Sequence, residues 1–355
     1  MTRQRIAIVL FNLGGPDRPE SVRPFLLNLF RDPAILRVPP FVRVFLARVI
    51  AGARVRPATE NYALLGGRSP LLSLTGEQMR ALAAALPEHD VRCFSAMRYW
   101  HPFSNDVAAA VKAWNPDEVV LLPLYPQFSA TTTGSSLTAW REAAARAGLV
   151  KPTNVLCCYP TDPAFVAATA AIVRRSYDSA RASLDPAIKL RVLFSAHGLP
   201  ETIIKRGDPY QYQVEQTVAA VVARLGIPDI DARICYQSRA TPQVWIGPST
   251  DHEVERAAQE QTAILVVPVA FVSEHSETLV ELDVEYRELA ARLHVPGYFR
   301  APTQNSDPGF IAALADLVRA ARQRGVGTCS AAGGRICPAA SVHCPLRAAL
   351  VAEPA

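Results

Sequence analysis

No apolar run in the chain approaches the ~20 residues needed to cross a bilayer as a helix, so no membrane-spanning segment is expected. Lys/Arg blocks, zinc-finger spacing and RNA-binding aromatic motifs are also missing, and the formal net charge of +5 is spread thinly. Nucleic acid is therefore not an expected partner, although the mild positive excess suits an anionic ligand or membrane surface. The glycine-containing loops lack the spacing of Walker or dinucleotide loops, so there is no strong phosphate-binding signal. The N-terminal stretch MTRQRIAIVLFNLGGPD does not have the form of a signal peptide, because its apolar run is short and leads into the turn Asn12-Leu13-Gly14-Gly15-Pro16. The expectation is a cytoplasmic protein, at most peripheral on the inner face of a membrane. Its seven cysteines are then reduced thiols or ligands rather than a disulfide framework.

What remains is a chain of 355 residues, half of them hydrophobic, enough for about two domains with substantial cores. Short apolar runs alternate with helical patterns. Strands are expected at Ile6–Leu10, Val91–Ala96, Val119–Leu124, Val155–Cys158, Leu190–Phe194, Ile234–Tyr236 and Ile264–Val267. Helices are expected at Gly76–Leu86, Val107–Asn115, Ala164–Ser183, Tyr210–Leu225 and Glu253–Ala258, with Thr75, Asp106 and Asp162 as N-caps. This alternation predicts an α/β fold with parallel sheets covered by helices, in which loops after strands carry the chemistry. The segment Ala147–Pro152 is the expected hinge. It divides the chain into a first lobe over 1–148 with an apolar lip and a second over 149–305. A C-terminal helix over 306–325 and a cysteine-containing extension over 326–355 follow.

The most informative stretch is PVAFVSEHSETLVELDVEY, residues 268–286. A buried strand stops at Ser273 and a helix follows. Glu277, Glu281 and Glu285 are spaced to line one helix face, while Leu279, Leu282 and Tyr286 form the buried one. A solvated acidic face is the plain alternative. However, a row of carboxylates without a Lys or Arg at i+4 repels itself, and with Glu274 and His275 in the first turn it suits a divalent cation.

Other stretches also follow strands. FSAHGLP puts His197 beyond a buried strand, next to a glycine that permits close approach, so beside the plain structural reading it is a candidate general base or metal ligand. The loop YPQFSATTTGSS either caps the next helix or faces a ligand. Arg68 and Ser69, in the Gly66-Gly67 loop, could hold a carboxylate. Trp245 is either core or the flat wall of a pocket. Residues 25–56 interleave Phe41, Phe45, Val49 and Ile50 with Arg37, Arg43, Arg48, Arg54 and Arg56. That pattern reads as ordinary packing or as a greasy lip touching a membrane interface.

With LFNLGGPD, YPQFSATTTGSS, FSAHGLPE, CYQSR, WIGP and SEHSETLVELDVEY in this order, the chain resembles ferrochelatases over nearly its whole length. The resemblance implies two Rossmann-like, chelatase-like lobes with parallel four-stranded sheets around a porphyrin cleft. It implies insertion of Fe2+ into protoporphyrin IX to give protohaem, with coproporphyrin or another tetrapyrrole, or porphyrin binding without catalysis, as alternatives. His197 then matches the family's cleft histidine, and Glu277 the carboxylate facing it across the macrocycle. Glu274, His275, Glu281 and Glu285 match the acidic line leading away, a path for metal and protons. Leu13 lies beside the porphyrin, Arg54, Tyr62 and Ser69 match propionate-holding positions, and Trp245 matches a cleft wall.

The tail after Gly325 places Cys329, Cys337 and Cys344 among small residues that form no core, a composition suited to a wrapped metal site. Some ferrochelatases hold a 2Fe-2S cluster with three C-terminal cysteines and one more, and Cys158 is the expected fourth ligand, with Cys157 beside it. A zinc site using His343 is the open alternative.

Overall fold

The computed structural model describes residues 3–239 and 243–347. Thr241, Pro242 and residues 348–355 of the expected extension lie outside them. Among the described residues the strands are β1 (Arg5–Asn12), β2 (Asp90–Met97), β3 (Glu118–Pro123), β4 (Thr153–Leu156), β5 (Leu190–His197), β6 (Asp231–Gln237), β7 (Ala263–Pro268), β8 (Tyr298–Arg300) and β9 (Gly327–Cys329). They form two parallel sheets in the orders β2-β1-β3-β4-β9 and β6-β5-β7-β8. The first four strands of each lobe follow one scheme. The opening strand is central, the second pairs on one side, the third on the other, and the fourth lies beyond the third.

Two expectations change here. The first sheet has five strands, because the tail returns and Gly327–Cys329 pairs with β4. In addition, β4 pairs with β3, so the first lobe runs past the expected boundary at 148. The segment expected as a hinge is instead a left-handed turn at Gly148 that re-enters the same sheet.

Strand side chains alternate between faces, and this alternation builds the cores. Ala7, Val9, Phe11, Val119 and Leu121 pack outward with Phe94 and Trp140. Leu193, Ile264 and Val266 pack outward in the second lobe with Leu282 and Tyr286. The inward residues of both sheets join a single core. Ile6, Ile8, Leu10, Val192, Phe194 and Leu265 meet the helices Pro163–Ala182 and Pro308–Gln323 there. A buried amide ties the lobes further. Gln78 donates to Val272 O at 3.1 Å and Asn305 O at 2.9 Å, and accepts from Ser273 Oγ at 3.1 Å.

Of the expected caps, Asp162 accepts from the Phe165 N–H at 2.9 Å. Thr75 lies inside its helix, Leu71–Ala84, where its hydroxyl accepts from Asn12. Asp106 lies in the first turn of Ser104–Trp114 rather than at its cap.

The lip consists of the helices Val22–Arg31 and Pro40–Ala63. Phe25, Leu26, Phe30, Ala47, Ala51 and Tyr62 make its inner face. Phe41, Phe45 and Val49 are 78%, 64% and 54% exposed, so no part of the described residues covers the outer face.

Candidate active site

In the second sheet the chain steps from β5 to β6 on one side and then to β7 on the other, and a crevice opens where the order reverses. His197 ends β5 and pairs in register with Gln237, which ends β6. The loop after β7 leads into the acidic helix. The three loops therefore rise side by side from one edge.

Gly198 lets them come this close. Its N–H donates to Gln237 O at 2.8 Å, and a Cβ there would stand 2.8 Å from that oxygen, inside any real contact. Ser238 follows with φ +64°, an unfavourable region for a residue with a side chain, and turns the chain toward the helix.

His197 Nδ1 and Glu277 Oε2 are 2.8 Å apart, with 37% and 28% of their side chains exposed. The expectation that the two face one another across a macrocycle is corrected by this contact. They sit together on one wall, because β5 and β7 are neighbours in one parallel sheet. Behind them lies buried Gln237, which donates to Glu277 O at 2.7 Å and Glu281 Oε2 at 2.9 Å. Its side-chain Oε1 accepts from Ser195 Oγ at 2.8 Å. Glu281 Oε1 accepts from the Ser238 N–H at 2.7 Å and Tyr286 Oη at 3.3 Å. Further out, Glu285 accepts from Asn61 of the lip helix at 3.1 Å. Glu281, Glu285 and Trp245 line a cleft of about 550 Å³ with Arg239, Asp251 and Arg292.

Two residues of the expected acidic line are directed elsewhere. Glu274 accepts from Arg300 at 2.8 Å and from the Thr303 N–H at 2.9 Å, so its charge is already matched. His275 is buried edge-on against Phe271. Among the described residues, no group of three or more His, Cys, Asp or Glu is arranged to hold a metal ion.

The opposite wall comes from the first lobe. Leu13 follows β1, half-buried beside Tyr62 in the lip core. Gly15 fits because Ser69 closes over it, and the Ser69 N–H donates to Pro16 O at 2.8 Å. Tyr62 Oη lies 3.5 Å from Ser276 Oγ, so this cluster touches the start of the acidic helix. Arg54 is half-buried on the same helix as Tyr62.

Charge follows from these contacts. Desolvation pulls the His197 imidazole down, but the Glu277 carboxylate outweighs it and the net shift is upward. Burial works against the Glu277 charge, yet the imidazole's charge and hydrogen bond hold Glu277 down to about 2. Burial, reinforced by the Glu277 charge, pushes Glu281 up to about 7. Burial lowers His275, keeping it neutral. Burial also carries Tyr62 up to about 12. Two carboxylates one helical turn apart thus have different protonation, which is the arrangement expected of an acid/base site.

The cysteines meet elsewhere. Pairing of β9 with β4 puts Cys329 O 2.8 Å from the Cys157 N–H. Gln213 Nε2 lies 3.5 Å from Cys158 Sγ and 3.1 Å from Cys337 Sγ. A hydrogen bond between Cys337 and Cys344 couples the two thiols, lowering Cys344 and raising Cys337.

Sequence reasoning left Gln237, Ser238 and Asn61 without roles, because only strand order and the lip's fold bring them to the site.

The family model described as Ferrochelatase matches residues 5–322. Proteins named ferrochelatase are 51% identical in Caulobacter vibrioides and 49% in Phenylobacterium zucineum, each over 97% of this chain and 98% of the relative. One from Hyphomonas neptunium is 48% identical over 96% and 95%. Among solved structures, the sirohydrochlorin chelatase SirB from Bacillus subtilis aligns with TM-score 0.52 at 12% identity. It covers 90% of this chain and 96% of that one, a likeness of fold.

Replacing Glu277 with Gln removes the charge that raises His197, so the imidazole should titrate at lower pH by NMR. An unchanged titration would mean the pair is not electrostatically coupled. The pair's contribution to stability should fade as pH falls toward about 2, through the depressed Glu277 value. It should also fade as pH rises through the elevated His197 value.

Proposed function

The chain belongs to the ferrochelatase family, and we propose that the porphyrin it metallates is protoporphyrin IX, giving protohaem. It is a lyase that inserts Fe2+ into a porphyrin in haem biosynthesis. The observation that carries the detailed reading is the paired His197 and Glu277 at the crevice, backed by a protonatable Glu281.

A free-base porphyrin carries two N–H protons and hides its nitrogen lone pairs in its plane. Insertion takes up one Fe2+ and releases two H+. The ring must bend, and a cleft that fits the bent form better lowers the barrier. His197 engages Glu277 through Nδ1, which leaves Nε2 to accept a pyrrole proton. Glu277 stabilises the imidazolium that forms. Glu281, poised near neutrality, accepts a proton and passes it outward along the cleft shared with Glu285. Fe2+ moves inward along the same carboxylates. Leu13 and Trp245 hold the macrocycle's faces, and Arg54, Tyr62 and Ser69 hold its propionates.

Cys158, Cys329, Cys337 and Cys344 would hold a 2Fe-2S cluster, although among the described residues they are not arranged as a metal-binding group. Support comes from the buried setting of all four and the Gln213 amide shared by Cys158 and Cys337. Such a cluster can exchange an electron. Metal insertion transfers none, and no step above passes through it.

The protein works in the cytoplasm, against the inner face of the membrane. No helix among the described residues is long and apolar enough to cross a membrane. The exposed Phe41, Phe45 and Val49, interleaved with Arg43 and Arg48, suit an anionic bilayer surface from which an apolar porphyrin can enter.

Anaerobic mixing with Fe2+ should give the haem spectrum faster with protoporphyrin IX than with coproporphyrin; the reverse order would reassign the substrate. Substituting His197 with Ala should slow insertion by about 10²–10⁴-fold while porphyrin still binds, and retained turnover would remove it as the base. Protein purified without oxygen should be brown, with iron and sulfide in equal amounts and the colour lost in Cys344→Ser. Colourless, sulfide-free protein would end the cluster reading. A Phe41→Ser/Phe45→Ser variant should bind anionic vesicles less tightly than the parent, and equal binding would clear the lip of a membrane role.

A further inference from the structure

The acidic helix is not a regular α-helix. Val284 and Glu285 both donate to Val280 O, at 2.9 and 3.0 Å, and Tyr286 donates to Glu281 O. Glu281–Glu285 is therefore a π turn between the α-helical segments Ser276–Leu279 and Tyr286–Arg292. The widening has a geometric effect. In an α-helix each four-residue step overshoots a full turn by about 40°, so a row at i, i+4, i+8 drifts around the helix. A wider turn rotates back and keeps the carboxylates in line.

The turn is gripped from outside by the short edge strand β8. Tyr298 Oη donates to Leu282 O at 2.5 Å, inside the π turn. Arg300 closes a two-bonded fork on Asp283, also inside it, with Nε to Oδ1 at 2.7 Å and Nη2 to Oδ2 at 2.6 Å. Its remaining nitrogen, Nη1, reaches Glu274 Oε1, just before the helix, at 2.8 Å. One guanidinium, only 11% exposed, thus spans both ends of the segment that carries Glu277 and Glu281. A planar fork does this where a point charge would not. Arg287 adds a second tie, donating to Asp283 O at 3.1 Å while lying over the Tyr298 ring. Neither Tyr298 nor Arg300 is hydrogen-bonded to His197, Glu277 or Glu281.

We propose that Tyr298 and Arg300 are positioning residues for metal insertion, holding the π turn so that Glu281 stands behind Glu277 on the Gln237–Ser238 shelf. The inference rests on the roles given above to Glu277 and Glu281. It also explains why Glu274 and Asp283, though acidic, do not belong to the row that lines the cleft: they are the anchors by which the row is aligned.

The test is anaerobic steady-state insertion of Fe2+ by the full chain, in a double-mutant cycle. Arg300→Leu should lower kcat by about ten-fold or more and Tyr298→Phe by about three-fold or more, with the porphyrin KM within about two-fold. Combined with Glu281→Gln, neither should lower kcat further, because both act through that carboxylate. Losses that multiply in the double variants, or that appear only in the porphyrin KM, overturn the proposal. Removing Arg300 leaves two carboxylates without their cation and can unfold the protein. Tyr298→Phe deletes a single hydroxyl and decides the matter alone in that case. Full kcat in Glu281→Gln itself would overturn both this inference and the role of Glu281 beneath it. Slow Glu281→Gln with multiplicative losses sinks the inference only.

Discussion

The hydrogen bond between His197 and Glu277 organises the charge of the whole crevice. Its origin is topological. Adjacent parallel strands run about 4.8 Å apart, and all of their C-terminal loops leave by the same edge. A residue at the end of β5 and one soon after β7 must then meet side by side. The bond keeps the carboxylate ionised down to about 2 and the imidazole easily protonated. Burial, reinforced by the charge that Glu277 keeps one turn away, raises Glu281 to about 7. Two like charges this close, on a partly desolvated wall, do not both ionise at little cost. Fixing one group in this way sets the state of the others.

This arrangement suits an exchange of protons for a dication. Before metal arrives, His197 and Glu281 both take up protons more readily than usual, the imidazole becoming positive and the carboxyl neutral when they do. An approaching Fe2+ lowers the affinity of both groups for protons and favours the carboxylates that line its path. The same electrostatics that leave Glu281 protonated therefore make it responsive to the cation. Arg300 would defeat this response if it faced the cleft. It is turned the other way, its charge taken up by Asp283 and Glu274.

Much of this was legible in the chain. The seven longer strands show as apolar runs, and His197 could be placed beyond a strand end by inspection. The row of glutamates is plain at its spacing. Three kinds of feature were not legible. Strands β8 and β9 are three residues each, too short for any period to register. Direction was hidden as well. Glu274 and His275 neighbour Glu277 in sequence, but Arg300, from a distant strand, draws Glu274 away, and Phe271 shelters His275. Finally, a π turn has no local signature here, since it is imposed by Tyr298 and Arg300 from outside. The cysteines are the converse case. A metal site was expected from composition and resemblance; the structure shows the unexpected ninth strand bringing the Cys329 backbone to Cys157, with no cysteine group arranged to hold a metal among the described residues.

Stiffness separates this architecture from other two-lobed α/β proteins that close on a ligand by hinging. A cleft that bends a macrocycle must resist deformation more strongly than the ring does, or the protein yields instead. Here the inward faces of both sheets share one core, with Ile8 and Leu10 from one lobe and Val192 and Phe194 from the other in the same cluster. Close-packed interiors transmit strain rather than absorbing it. Gln78 fastens the loop after β7 to the first lobe by two buried hydrogen bonds and the segment after β8 by a third, and leaving such groups unpaired would cost about 1–3 kcal/mol each. The loop so fastened leads directly into the acidic helix. The acidic helix is thus tied to the first lobe, while no other part of the described protein covers the lip's outer face.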